Sequence, residues 1–262
     1  MNTRNIFIFI LSVIYAVLWF GGVMSYTVLE ADPSIQPITA PMFLWCAALL
    51  SIIGFSSRGH VLWLLLASGA AFVAEIIGVA TGTIFGSYQY GNGFGMQLFN
   101  VPLAIMAAWL ILLAYVWHIT SWFHFSIFVK ALIAAAWMVA IDIIIDPVSA
   151  GPIGFWEWKA GGSFYGIPLS NFLGWFAVSL PLFLFLQRER FTQTSSHLVG
   201  FSIVLFFTIL AAASFPALAL FGMFLLALDM ILLRPEWLGY GRVVKDTLKN
   251  ISQKYLRGIK RL

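Results

Sequence analysis

Long apolar runs alternate with short polar breaks along this chain. The runs cover about 5–28, 40–56, 61–81, 101–118, 125–146, 167–187, 197–213 and 215–233. A helix crossing a bilayer needs roughly 20 mostly apolar residues, so the pattern predicts about eight transmembrane helices. Only Ser214 and Pro216 part the last two runs, and one long bent segment there gives seven. Arg4 precedes an apolar run from Ile6 to Met24 with no A-x-A site after it. That run is too long for the core of a signal peptide and predicts an uncleaved first span. The expected architecture is all-α: a polytopic transmembrane helix bundle over 1–233, followed by a separate tail over 234–262.

Composition agrees. Of 262 residues, 61% are hydrophobic and 9% charged, with a mean hydropathy of +0.96. A soluble domain is about 45–50% apolar and about 25% charged, so this chain has too few charges to cover a water-facing surface. The aromatic content of 17% excludes disorder. The single cysteine, Cys46, excludes an intrachain disulfide and a cysteine metal cluster. The net charge of +4 belongs to the tail, because seven of the fourteen Lys and Arg residues lie from Arg242 to Arg261. There is no separate basic domain to hold nucleic acid. Dinucleotide fingerprint, Walker loop and nucleophile elbow are all missing, so neither nucleotide nor redox cofactor is expected. His60, His118, His124 and His197 fall near the same ends of the runs, at spacings that put no two on one helix face. They read as interface anchors, and no metal is expected.

Placing the N-terminus, the 57–60 turn, the 119–130 region, the 188–196 loop and the tail on one side collects thirteen of the fourteen basic residues there, leaving only Lys159 opposite. The positive-inside rule then puts both termini in the cytoplasm, and the plasma membrane is the expected location. Two longer loops face outward, Gly82 to Asn100 and Pro147 to Gly166. Rich in glycine and aromatics, they suit the membrane interface and a lid over the bundle. In the tail, Val244, Leu248, Ile251, Tyr255, Ile259 and Leu262 recur three or four apart, with Lys245, Lys249, Lys254, Arg257 and Lys260 on other faces. This is the pattern of a basic amphipathic helix on an anionic inner leaflet; a docking site for a partner enzyme is the alternative.

Ionisable groups at membrane depth are costly and mark function. Four acids lie in the runs: Glu75, Asp142, Asp146 and Asp229. Asp142 and Asp146 are four apart, on one helix face and about 6 Å apart along the axis. Asn171 opens the sixth run from the same side, with Gly174 and Trp175 on its face. Gly78, Gly82 and Gly86 follow Glu75 at every fourth position, a spacing that lets helices approach closely. Asp146 precedes Pro147 and so also reads as a helix end. Asp229 lies near the cytoplasmic end and reads as a structural partner of Arg234 or water. A carboxyl without a cationic partner in a low-dielectric site can remain protonated and serve as a general acid. Tyr88, Tyr90, Trp156, Trp158 and Trp175 offer π faces to a developing carbocation, or form an interfacial belt.

The segments AEIIGVATGTIFGSYQYGNGFG, NVPLAIMAAW, IDIIIDPV and FWEWKAGGSFYGIPLSNFLGW resemble the CruF-type carotenoid biosynthesis proteins, membrane hydratases of acyclic carotenoid ends. The resemblance covers roughly 65–185. It implies addition of water to the terminal C=C bond of a linear carotenoid, giving a tertiary alcohol without a cofactor. It brings Glu75, Asp142, Asp146 and Asn171 onto the family's motifs. The roles expected here are Asp142 or Glu75 as proton donor and Asp146 as the group positioning water. The substrate is dissolved in the bilayer and enters between helices; water and membrane lipids are the other partners, with further carotenoid enzymes as candidates. Three rivals share parts of the pattern. A prenyltransferase uses D-x-x-x-D pairs to hold magnesium diphosphate, but one pair without nearby basic residues fits poorly. A proton-coupled transporter or lipid-binding protein also carries intramembrane acids, but no inverted repeat is visible. A carotenoid end-group cyclase forms the same cation and excludes water.

Overall fold

Each of the eight apolar runs is a helix. The computed structural model describes residues 3–29, 33–53 and 57–241. In chain order the helices are α1 (Thr3–Thr27), α2 (Gln36–Ile52), α3 (Arg58–Thr81), α4 (Ala104–Thr120), α5 (Ile127–Ala150), α6 (Leu169–Leu186), α7 (Thr194–Ser214) and α8 (Pro216–Leu232). A short α9 (Arg234–Gly241) follows, bent by 84° from α8. Five helices (α1, α3, α5, α6 and α7) are long and apolar enough to cross a membrane, and α8 with α9 makes a sixth if counted as one broken span. The expected count of about eight therefore holds for helices, while α2, α4 and α8 are 17 residues each, about 25 Å against a hydrocarbon core of about 30 Å.

Helix α4 is apolar all round and occupies the centre, packed by α2, α3, α5 and α7 and buried along most of its length. Helix α1 is the opposite case. Leu11 is its one buried side chain, and Phe7, Phe9, Val17 and Phe20 are exposed, as a lipid-facing helix requires. Lipid is as apolar as these side chains, so close packing rather than water exclusion holds the helices together. Glycines supply the closeness. A Cβ at Gly200 would strike the Tyr115 ring, and one at Gly222 would strike Thr208. Helices α7 and α8 pack extensively on each other with the chain reversing at Phe215, so they are two helices and not the single bent segment of the seven-run reading.

Two local expectations change. Asp146 does not end its helix: α5 continues through Pro147 to Ala150. A proline is tolerated in a packed membrane helix because neighbouring groups take up the freed backbone positions. The glycine series after Glu75 is not one packing stripe either. Only Gly78 is inside α3, where a Cβ would come within 2.7 Å of the Phe85 ring. Gly82 terminates the helix at φ 69°, its N–H on Gly78 O at 2.7 Å, a conformation that favours glycine.

Beyond α3 the two aromatic loops join. Strand β1 (Tyr88–Tyr90) pairs antiparallel with β4 (Trp156–Trp158), Tyr88 opposite Trp158 and Tyr90 opposite Trp156. A second hairpin pairs β2 (Gln97–Leu98) with β3 (Val101–Pro102). These short pairings form a lid over one end of the helices. The amphipathic pattern from Val244 to Leu262 lies outside the described residues.

Candidate active site

Side chains alternate across a strand, so Tyr88, Tyr90, Trp156 and Trp158 share the inner face of the lid while Gln89 and Glu157 are exposed. Under that face lies a cavity of about 330 Å³. Glu75 of α3, Trp109 of α4, Asp146 of α5, and Asn171 and Trp175 of α6 all line it. Gly174 brings α6 in: its bare Cα faces the Ile84 carbonyl, where a side chain would not fit.

Glu75 is 4% exposed and accepts three hydrogen bonds. The Tyr88 and Tyr90 hydroxyls donate to Oε2, the latter at 3.1 Å, and the Trp109 indole N–H donates to Oε1 at 3.1 Å. Burial, and then the Glu75 charge beside them, push both phenols well above the ordinary tyrosine range, so they remain O–H donors. A carboxylate has acceptors only, and three aimed donors fit its ionised form. Trp109 also stacks on Trp175, centroids 4.3 Å apart and planes 14° apart.

Asp142 and Asp146 form the second acidic element. The Asn171 amide donates to Asp142 Oδ2 at 2.7 Å and to Asp146 Oδ2, so one NH₂ group holds the two carboxyls side by side. Carboxyls this close repel when both are ionised, a geometry that fits a pair keeping one proton. Asp146 faces the cavity; Asp142 is fully buried behind it and is not among the lining residues. Among the described residues, the ion-pair contacts are His118–Glu236 and His197–Asp229, so no lysine or arginine pairs with the site acids.

Of the residues singled out in the sequence, Glu75, Tyr88, Tyr90, Asp146, Trp156, Trp158, Asn171 and Trp175 meet around one cavity, with Asp142 one layer out. Trp109 was missed. It lies in an unbroken apolar run, and its partner is 34 positions earlier.

Asp229 and two of the histidines are corrected. Asp229 does not pair with Arg234. It accepts from Tyr115 at 2.7 Å, His197 at 2.9 Å and Trp237 at 3.0 Å. His118 and His197 are not interface anchors: both are fully buried and stacked, centroids 4.7 Å apart. Ligand atoms of His118, His197 and Glu236 lie within 4.8 Å of one another. However, the Gln193 backbone N–H occupies His118 Nδ1 at 2.8 Å. The ring proton is therefore on Nε2, pointing at Glu236 Oε2 at 2.8 Å. That donor pattern fits a hydrogen-bonded clasp holding α9 on α4 and α7, not a coordination site.

A family model described as carotenoid biosynthesis protein matches residues 37–233. A relative from Haloarcula japonica, bisanhydrobacterioruberin hydratase, is 32% identical over 111 residues, covering 38% of this chain and 36% of that protein. The matched stretch is thus little more than a third of the relative's length. No solved structure matches the chain.

Proposed function

Because this chain belongs to the carotenoid biosynthesis protein family, we propose that it is a cofactor-independent hydratase adding water to the terminal C=C bond of an acyclic carotenoid. One observation carries the reading: carboxyl groups of Glu75 and Asp146 face a single cavity whose wall is mostly hydrocarbon and aromatic rings. A polyene end needs such walls, and alkene hydration needs a positioned acid beside a carboxylate.

Asp146 is the proton donor. It faces the cavity and is held beside Asp142 by the Asn171 amide, with no cation to favour ionising both. The proton adds to the less substituted alkene carbon and leaves a tertiary cation. Glu75, held by its three donors, supplies the opposing charge, and the stacked Trp109 and Trp175 rings offer π faces to it. Water bonds to the cation and loses a proton to Glu75, giving a tertiary alcohol. This assignment exchanges the roles expected from the sequence: Asp142 lies behind the wall, and Glu75 is fully engaged as an acceptor.

The membrane arrangement is part of the same proposal. The eight helices cross the plasma membrane with both termini in the cytoplasm, as the basic residues favour. Val17 and Gly21 of α1 line the cavity and are also exposed, which gives a bilayer-dissolved chain a lateral way in.

The test is expression in a bacterium that accumulates a linear carotenoid, with mass analysis of the pigment. A product heavier by one water is expected. An isomer of unchanged mass would mean an end-group cyclase, and unchanged pigment at every chain length would favour a transporter.

A further inference from the structure

The cavity has two chemically different arms. Along α1 and α7 its wall is hydrocarbon: Val17, Leu18, Ile203, Phe206 and Phe207. Near the lid, where α1 ends and α2 begins, four side chains break that pattern, namely Ser25, Tyr26, Gln36 and Thr39. Along α1, Ser25 is one turn (about 6 Å) past Gly21, and Tyr26 is about 14 Å past Val17. The polar group therefore stands toward the lid end, one to two turns beyond the lateral gap at Val17 and Gly21. Tyr26 and Gln36 are neighbours, and Gln36 lies under the lid, its Oε1 3.4 Å from where a Cβ of Gly93 would stand. All four are half-buried.

A hydrocarbon substrate has no use for these groups. Thr39 Oγ1 donates within its own helix to Ile35 O at 3.0 Å, which leaves its lone pairs free, and hydrogen-bonding groups facing a membrane cavity are costly unless something polar meets them. The same cavity contains further polar atoms awaiting a partner. Ser149 and Trp158 line it, and Ser149 Oγ and Trp158 Nε1 have no hydrogen-bond partner among the described residues. Ser149 is three residues after Asp146, on the same face of α5. Water entering past Ser25 and Gln36 therefore has a polar start and a polar destination.

We propose that Ser25, Tyr26, Gln36 and Thr39 form a water port, separate from the apolar arm that admits the polyene, and that Ser149 and Trp158 receive the water beside Asp146. This rests on the hydration reading. In that reaction a C–H bond forms from the Asp146 proton, a C–O bond forms from water, and the departing water proton passes to Glu75, so that one H₂O is added in total. The port governs only the second bond. A cation that meets no water loses a proton from a neighbouring carbon and becomes a double-bond isomer of unchanged mass.

The experiment uses full-length protein in lipid vesicles with a linear carotenoid, reading alcohol and double-bond isomer in the same chromatogram. Gln36→Leu and the near-isosteric Thr39→Val are the port variants, and Gly21→Phe narrows the apolar arm. The port variants are expected to lower the alcohol-to-isomer ratio by about tenfold or more. Gly21→Phe is expected to lower total conversion and leave the ratio alone. An unchanged ratio in both port variants overturns the port, whether or not total conversion falls. Neither product from the unsubstituted protein overturns the hydration reading itself, which is a different failure.

Discussion

Replacing Glu75 by glutamine separates the charge of that side chain from its shape. Three donors converge on it: two phenols on Oε2 and one indole on Oε1. Glutamine keeps one acceptor oxygen and puts an NH₂ group where the other stood. The phenols can turn and accept from that NH₂, which leaves the amide oxygen on the donor-only Trp109 N–H but takes the acceptor away from the phenols' own O–H groups. An orphaned buried donor costs about 1–3 kcal/mol. For turnover, losing one preorganised group that opposes developing charge costs about 10²–10³-fold, or about 3–4 kcal/mol of barrier. Glu75→Gln should therefore lower conversion about 10²–10³-fold and lower the thermal midpoint in detergent. Tyr88→Phe removes one of those hydroxyls, so it should cost less stability in the Glu75→Gln background than in the unsubstituted protein, without restoring conversion. The assays are thermal unfolding and pigment conversion per amount of protein. Conversion within about threefold of normal for Glu75→Gln, or its recovery in the double variant, would refute the charge role.

Three further outcomes follow from the same geometry. Asp146→Asn should lose conversion about 10²-fold or more, and Asp142→Asn distinctly less, because only Asp146 faces the cavity; pigment conversion at matched protein levels checks the order. Asp229→Asn should destabilise by about 1–3 kcal/mol by leaving donors of Tyr115, His197 and Trp237 poorly paired, while conversion per folded molecule stays normal; unfolding and conversion measured on one preparation separate the two. Met96→Cys in a Cys46→Ser background should react with an impermeant thiol reagent on intact cells, and labelling only after lysis would reverse the topology.

Hydropathy located the helices because it is a local signal. The run at 215–233 became α8 at Pro216–Leu232, and that at 5–28 became α1 at Thr3–Thr27. The acids were legible because charge in an apolar run is conspicuous whatever surrounds it. Pairings between distant segments were not. Trp109 reaches Glu75 across two helices, and His118 meets His197 from 79 positions away, beyond any helical period. The lid was partly legible. The alternations Tyr-Gln-Tyr at 88–90 and Trp-Glu-Trp at 156–158 have the period of a strand, a signal that reading both segments simply as loops leaves unused. Pro147 misled because proline's effect depends on packing: in α5, packed along α6, the helix runs through it.

The most direct measurement of the central claim is the fate of solvent oxygen. Full-length protein in lipid vesicles would be given a linear carotenoid in oxygen-18 water, and the pigment analysed by mass. Hydration predicts one labelled oxygen in each tertiary hydroxyl formed, with Glu75→Gln and Asp146→Asn abolishing the labelled product. A converted pigment that carries no label, or label incorporated undiminished by both substitutions, would contradict it.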